Sequence, residues 1–179
     1  MKLLICVDMQ NDFITGSLGS EPCQKIVPNV VKKLDASLRS GDVVLFTRDT
    51  HQADYSETRE GKHLLVPHCL EGTPGHELIP EIKDILKDTF IYYTVDKYNK
   101  FGLIPKALKG IEEIDQHTEI EIFGVATNIC VLSCAVSIQN FMPNAEITID
   151  ASCCASFDSV LHEKALDIMD GLQMKVINR

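Results

Sequence analysis

The sequence predicts an α/β fold, a six-stranded and mostly parallel sheet sandwiched between helices in three layers. Three observations predict it. Short apolar, β-like runs alternate with stretches whose apolar residues recur at helical spacing. Residues able to do chemistry fall at or just after the ends of those runs, where an open parallel sheet gathers its sites along one edge. No repeat, low-complexity segment or linker divides the 179 residues, so 1–179 reads as one domain of ordinary size.

The first strand is the run Leu3, Leu4, Ile5, Cys6, Val7, closed by Asp8. After a loop with Gly16 and Gly19, the four-residue spacing of Ile26, Val30, Leu34 and Leu38 marks a helix that stops at Gly41. Val43, Val44, Leu45, Phe46 and Thr47 make a buried strand ending at Asp49. A polar, His-rich segment follows from Thr50 to about Gly75, and a loop that long within a compact domain is usually functional. Ile82, Ile85 and Leu86 lie on a short helix, and the run from Phe90 to Val95 is a strand with Lys97 just after it. Pro105 opens a short lysine-rich helix ending at Gly110. Ile120, Ile122 and Phe123 form the strand before Gly124, and Val131, Ala135, Ile138 and Phe141 the helix after it. A strand over Glu146–Asp150, a helix from about Ser159 to Met169 and a strand over Met174–Ile177 complete the chain.

Composition excludes several classes. A formal charge of −9 argues against nucleic acid or an anionic membrane as a partner. No apolar run is long enough to span a bilayer. Lys2 and the run after it imitate a signal peptide, but Asp8, Gln10, Asn11 and Asp12 interrupt it too early. Seven cysteines without a small-domain framework fit a reducing, cytoplasmic setting. Cys6, Cys134 and Cys154 fall within apolar patterns, Cys69 reads as packed, and Cys153 beside Cys154 has no finger-like partners. His76, His117 and His162 have no partners at matching spacing and are expected to face solvent. The lysines from Lys97 to Lys109, set among acidic neighbours, read as a solvated face. Neither Gly16 with Gly19 nor Gly72 with Gly75 follows the dinucleotide fingerprint, so no NAD site is expected.

The stretch Gly124-Val125-Ala126-Thr127-Asn128-Ile129-Cys130 carries the most information. It sets a cysteine at a strand-to-helix turn, where unpaired N–H groups and the helix dipole favour a thiolate and could hold an oxyanion. A packed, structural cysteine is the alternative. Asp8 and Lys97 occupy the corresponding ends of two other strands, and three reactive residues at three such places are far less expected by chance than one.

A second constellation lies in and before the long polar segment. Asp49 and His51 are two apart, so in extended chain their side chains face the same way, and His68 lies further along the covering loop. Carboxylate and imidazole together suit Zn, Fe or Mn, with positions left for water and substrate. The alternative is a hydrogen-bonded Asp–His pair beside a surface histidine.

The chain resembles the cysteine hydrolases of the isochorismatase-like superfamily, and within it the nicotinamidase branch. The resemblance rests on Val7-Asp8-Met9-Gln10-Asn11-Asp12-Phe13, Thr47-Arg48-Asp49-Thr50-His51, Pro67-His68-Cys69-Leu70-Glu71-Gly72-Thr73-Pro74-Gly75, Asp96-Lys97 and the stretch ending in Cys130-Val131. It implies a Rossmann-like fold, a catalytic triad of Asp8, Lys97 and Cys130, and hydrolysis of nicotinamide or a related small amide. In that chemistry Asp8 takes the thiol proton and later serves the leaving amine, Lys97 lowers the cysteine pKa, and Cys130 attacks the carbonyl. The N–H groups of Ala126 and Cys130 form the oxyanion hole, and the resemblance implies a cis Val125–Ala126 peptide. It maps Asp49, His51 and His68 onto metal ligands that orient the substrate. Glu60 is the preferred further ligand, ahead of Glu57 and His63. Phe13 walls the pocket, and the family often forms dimers or larger oligomers.

Two departures concern the pocket. This chain has no tryptophan, and Leu65 stands where many nicotinamidases carry one shortly before the histidine ligand. The segment after the lysine is the short Tyr98-Asn99-Lys100-Phe101-Gly102. The alternatives are a metal-free carbamoyl or ureido amidase, whose relatives generally lack the metal ligands, and a non-catalytic binding module on the same fold.

Overall fold

Residues Leu3–Val7 are apolar at every position and fully buried, the pattern of a central strand covered on both faces. This strand, β1, lies at the middle of a six-stranded sheet of order β3-β2-β1-β4-β5-β6, in which every pairing is parallel. The computed structural model describes residues 1–87, 89, 92–103, 108, 111, 114–115 and 117–179. The other strands are β2 (Val43–Thr50), β3 (Tyr92–Tyr98), β4 (Ile120–Val125), β5 (Ile147–Ala155) and β6 (Lys175–Ile177).

The helices follow from the apolar spacing. In α3 (Val27–Arg39) the buried residues are Val27, Val30 and Leu34, one stripe at helical period. Two short helices, α1 (Asn11–Ile14) and α2 (Glu21–Lys25), precede it where the sequence suggested loop. Four- and five-residue helices carry too little periodicity to be read. Helix α4 (Arg59–His63) lies within the long polar segment, and α5 (Pro80–Leu86) buries Ile82 and Leu86. After β4 a π turn (Thr127–Val131) runs directly into α6 (Leu132–Phe141), and α7 (Ser159–Gly171) buries Ala165, Leu166 and Met169. Pro105 and Gly110, the bounds of the expected lysine-rich helix, lie outside the described residues, as do Phe90 and Ile91.

The chain steps outward from β1 to β2 and β3, then returns to start again at β4 on the other side of β1. Right-handed crossovers in opposite directions put their helices on opposite faces. Accordingly α3 packs with α5, and α6 with α7. The switch point lies between β1 and β4, where such sheets open a crevice at the strand ends.

Strand β5 runs five residues past its expected end at Asp150. Asp150 and Ser152 look like loop residues, but Asp150 is buried and paired with Lys33, which also pairs with Glu121. The sequence gives no sign of that partner, 117 positions away in the chain.

Gly124 shows how tightly the switch point is built. It has φ +127°, and a Cβ there would lie 2.1 Å from the Val7 carbonyl oxygen. Both the dihedral and the space require glycine. Gly124→Ala should lower stability by about 3 kcal/mol or more, read as a shifted urea midpoint. An unchanged midpoint would contradict the close approach.

Candidate functional site

Asp8 follows β1 directly, at φ +49°, a left-handed conformation that aspartate tolerates better than most residues. The register sets Val7 beside Thr47 on one side and Gly124 on the other, so Asp8 emerges between β2 and β4. Its Oδ1 accepts a 2.6 Å hydrogen bond from the Thr47 hydroxyl, and its Oδ2 accepts from Lys97 Nζ at 2.7 Å. Lys97 also donates to the backbone carbonyls of Phe101 (2.9 Å) and Lys100 (3.3 Å). An ammonium has three donors, and each has an acceptor.

Asp8, Lys97 and Cys130 are all buried. Burial pushes the Asp8 carboxyl up from its ordinary value, against the pull of Lys97. Burial also works against the Lys97 charge, but the Asp8 carboxylate outweighs it and raises the lysine well above its ordinary range. At Cys130 burial raises the thiol well above its ordinary value, with Lys97 pulling the other way. Lys97 therefore acts on the cysteine in the expected direction, and burial outweighs it. Cys130 lies inside the π turn, and the Val125–Ala126 peptide is cis, as the resemblance implied.

Beyond β2 the chain continues extended. His51 N donates to the Cys69 carbonyl (3.0 Å) and Glu71 N to the His51 carbonyl (2.8 Å), which draws His68 alongside. The Asp12 carboxylate fixes this arm by accepting from Cys69 N at 2.7 Å. Thr58 caps α4 by accepting from Gly61 N. Gly61 has no room for a Cβ, which would meet the Tyr55 carbonyl oxygen at 2.0 Å. This close packing places Glu60.

The result is a cluster of Asp49, His51, Glu60 and His68 whose ligand atoms all lie within 4.8 Å of one another. Asp49 Oδ2 is 3.1 Å from His51 Nε2 and 3.3 Å from His68 Nε2, and Glu60 lies 3.8 and 3.7 Å from the same two nitrogens. Of Glu60, Glu57 and His63, Glu60 is the one the fold brings to the other three. Glu57 is exposed, and His63 is exposed and bonded to the Arg59 carbonyl. His68 Nδ1 faces the Val66 carbonyl at 2.9 Å and must donate, since a carbonyl only accepts. His51 Nδ1 faces Asn99 Oδ1 at 2.9 Å in the same way. In the neutral imidazoles both Nε2 lone pairs then point inward at a carboxylate, acceptor against acceptor. The other Asp49 oxygen, Oδ1, is buried with no hydrogen-bond partner. Two inward lone pairs, an orphaned carboxylate oxygen and a second carboxylate fit a divalent cation.

A pocket joins the two constellations. Its walls include Asp49, Glu60, His68, Ala126 and Cys130, with Phe13, Leu18, Leu64, Phe101, Ile129 and Phe157 supplying apolar surface. Phe13 thus lies in the wall that the resemblance implied for it, and Ala126 lines the same pocket. Leu65 does not: it is 81% exposed, and its neighbour Leu64 takes the wall. The α4 turn decides which of the two points inward.

Several residues escaped the sequence reading. Gln10 is buried and clamps Asp49, accepting from its N–H (2.7 Å) and donating to its carbonyl (2.9 Å) and to that of His76 (2.8 Å). Thr47, Asp12 and Asn99 hold Asp8, the His68 arm and His51. The polar run after a wholly buried strand was the available signal for Gln10 and Asp12. His76 is buried and bonded to the Thr50 hydroxyl, correcting the solvent-facing expectation. His162 is half-buried against Thr127, a second correction, while His117 is exposed as expected.

The isochorismatase domain family matches residues 2–179. The chain is 31% identical to the isochorismatase family protein PncA of Bacillus subtilis (strain 168), over 92% of each chain. It is 28% identical to the nicotinamidase of Schizosaccharomyces pombe, over 98% of this chain and 92% of that one. Among solved structures, nicotinamidase/pyrazinamidase PncA from Bacillus subtilis superposes with a TM-score of 0.83 at 30% identity, covering 98% of this chain and 99% of that one. Fold and relatives together define a hydrolase of amide carbon–nitrogen bonds. The chain belongs to the isochorismatase family.

The buried ion pair supplies a test. Asp8→Asn and Lys97→Met should each cost about 3–5 kcal/mol, because each strands a buried charge. The double variant should lose less than the sum of the two, and strict additivity in urea unfolding would show that the pair is not coupled.

Proposed function

We propose that the protein is a metal-containing cysteine amidohydrolase of nicotinamidase type. It hydrolyses nicotinamide or a related small amide to the acid and ammonia through a thioester. The observation that carries this reading is the shared pocket, with Cys130 in one wall and Asp49, Glu60 and His68 in another. A substrate held by a cation at that cluster would present its amide to the cysteine. A metal-free carbamoyl amidase has no use for the inward lone pairs, and a pure binding module none for the buried Asp8–Lys97 pair beside a cysteine.

Attack begins with transfer of the Cys130 thiol proton to the Asp8 carboxylate. The Cys130 sulfur forms a bond to the carbonyl carbon, and the carbonyl oxygen takes the electron pair, facing the Ala126 and Cys130 N–H groups. Protonated Asp8 then gives its proton to the nitrogen, the carbon–nitrogen bond breaks and ammonia leaves. Water attacks the thioester while Asp8 takes its proton. The carbon–sulfur bond breaks, the sulfur is reprotonated and the acid departs. Lys97 keeps Asp8 oriented throughout and favours the thiolate by its charge. Asp49, His51, Glu60 and His68 would hold Zn, Fe or Mn, which supplies a Lewis-acid contact to fix the substrate.

Three measurements test this. Purified protein should release ammonia from nicotinamide, with kcat/KM falling about 10⁴-fold or more in Cys130→Ala. Chelation should lower activity, restored Zn, Mn or Fe should recover it, and His68→Ala should lose about one bound metal per chain by elemental analysis. No release with metal bound would reject nicotinamide and leave other amides. In the pH profile, Asp8 must be ionised to act, and its pKa is raised above 3.8. The acid limb of kcat/KM should therefore lie above pH 3.8, and a limb at or below that value would remove Asp8 as the base.

A further inference from the structure

The π turn that carries Cys130 is braced from outside the pocket, by the start of α7. Thr127, the first residue of the turn, is fully buried, and its hydroxyl meets His162 Nδ1 at 2.8 Å. The next residue, Asn128, accepts from the Ser156 hydroxyl through Oδ1 at 2.5 Å. Ser156 Oγ in turn accepts from Asp158 N (3.3 Å), and Asp158 caps α7 by accepting from Val160 N and Leu161 N at 2.9 Å each. These bonds close a ring from the turn to Ser156, along the cap into α7, and back through His162. Phe157, inside the ring, lines the pocket. Neither His162 nor Ser156 is among the pocket-lining residues, so whatever they do to the reaction they do through the turn.

We propose that His162 is a positioning residue for the nucleophile, acting through the Thr127 hydroxyl to fix the turn that bears Ala126 and Cys130. Attack and oxyanion stabilisation both depend on that backbone, and a misplacement of about 1 Å can cost about 100-fold in rate. The imidazole is well suited to the role because it reaches Thr127 from a helix that the Asp158 cap holds rigidly, while its other edge stays near the surface beside Glu163. The inference rests on the cysteine-amidase reading of Cys130, and the experiment keeps the two apart.

The readout is the second-order rate of Cys130 alkylation by iodoacetamide, itself a small amide, in the native metal-loaded protein, with the modified cysteine identified by peptide mass mapping. Wild-type Cys130 should react faster than the six other cysteines. His162→Leu should slow it by about 10- to 100-fold with metal content unchanged. Asn places a polar atom near the Nδ1 position and Gln near Nε2. His162→Asn should therefore stay within a few-fold of wild type, and His162→Gln should behave like the leucine variant. Thr127→Val should reproduce the loss, and the double variant Thr127→Val/His162→Leu should be no slower than either single one. If His162→Leu does not fold, the Asn, Gln and Thr127→Val comparisons carry the same test. A leucine variant as fast as wild type, an asparagine variant as slow as leucine, or additive losses would overturn the proposal alone. A wild-type Cys130 no faster than the other thiols would overturn the amidase reading, and the positioning role with it.

Discussion

The parallel register between β1, β2 and β3 is the constraint on which the site depends. Val7 lies opposite Thr47, and Asp49 opposite Lys97, so the ends of three strands deliver Asp8, Lys97 and Asp49 to one place without any loop having to find it. The Asp8–Lys97 pair is the chemical product of that register. Two charges out of water are tolerated because each is fully hydrogen-bonded, Asp8 by Thr47 and Lys97, and Lys97 by Asp8 and two carbonyls. A slip of one residue would turn these side chains to the opposite face of the sheet.

The long segment between β2 and α5 works differently. It is pinned at single backbone bridges, His51 to Leu70 and Gln10 to Leu78, and otherwise relies on side chains that satisfy its backbone. Asp12 accepts from Cys69 N, Gln10 donates to the His76 carbonyl, and Thr58 accepts from Gly61 N. Three of the five described non-glycine residues at positive φ, namely Asp8, Cys69 and Asn99, lie in or beside the site. Backbone of this kind is retained where the surroundings over-determine it. The cluster of Asp49, His51, Glu60 and His68 is thus assembled from two sources of rigidity, sheet on one side and polar anchoring on the other.

Much of this was legible in the sequence. Continuous apolar runs announced the central strands, and helical spacing announced α3, α6 and α7. The positions of Asp8, Lys97 and Cys130 at three strand ends announced a site. What stayed hidden depended on partners distant in the chain. Asp150 looked like a strand terminator because Lys33, which neutralises it, is invisible locally. His76 and His162 looked solvent-facing because Thr50 and Thr127 give no periodic sign of meeting them. Leu64 and Leu65 could not be told apart, since the turn at α4 and not hydropathy selects the inward one.

That turn has a further consequence. Leu64 lines the pocket with its side chain, while the residues of the cluster beside it are held by backbone and by other side chains: Glu60 by the capped turn of α4 and the Leu64 N–H (2.8 Å), His68 by the Val66 carbonyl and, through its neighbour Cys69, by Asp12. The side chain that forms the wall and the bonds that hold Glu60 and His68 are therefore separate, though only three residues lie between Leu64 and His68. Substrate range in such a scaffold can drift by exchange at one wall position while the inner chemistry is inherited unchanged. It gives evolution, or an engineer, a dial that is not wired to the machinery it adjusts.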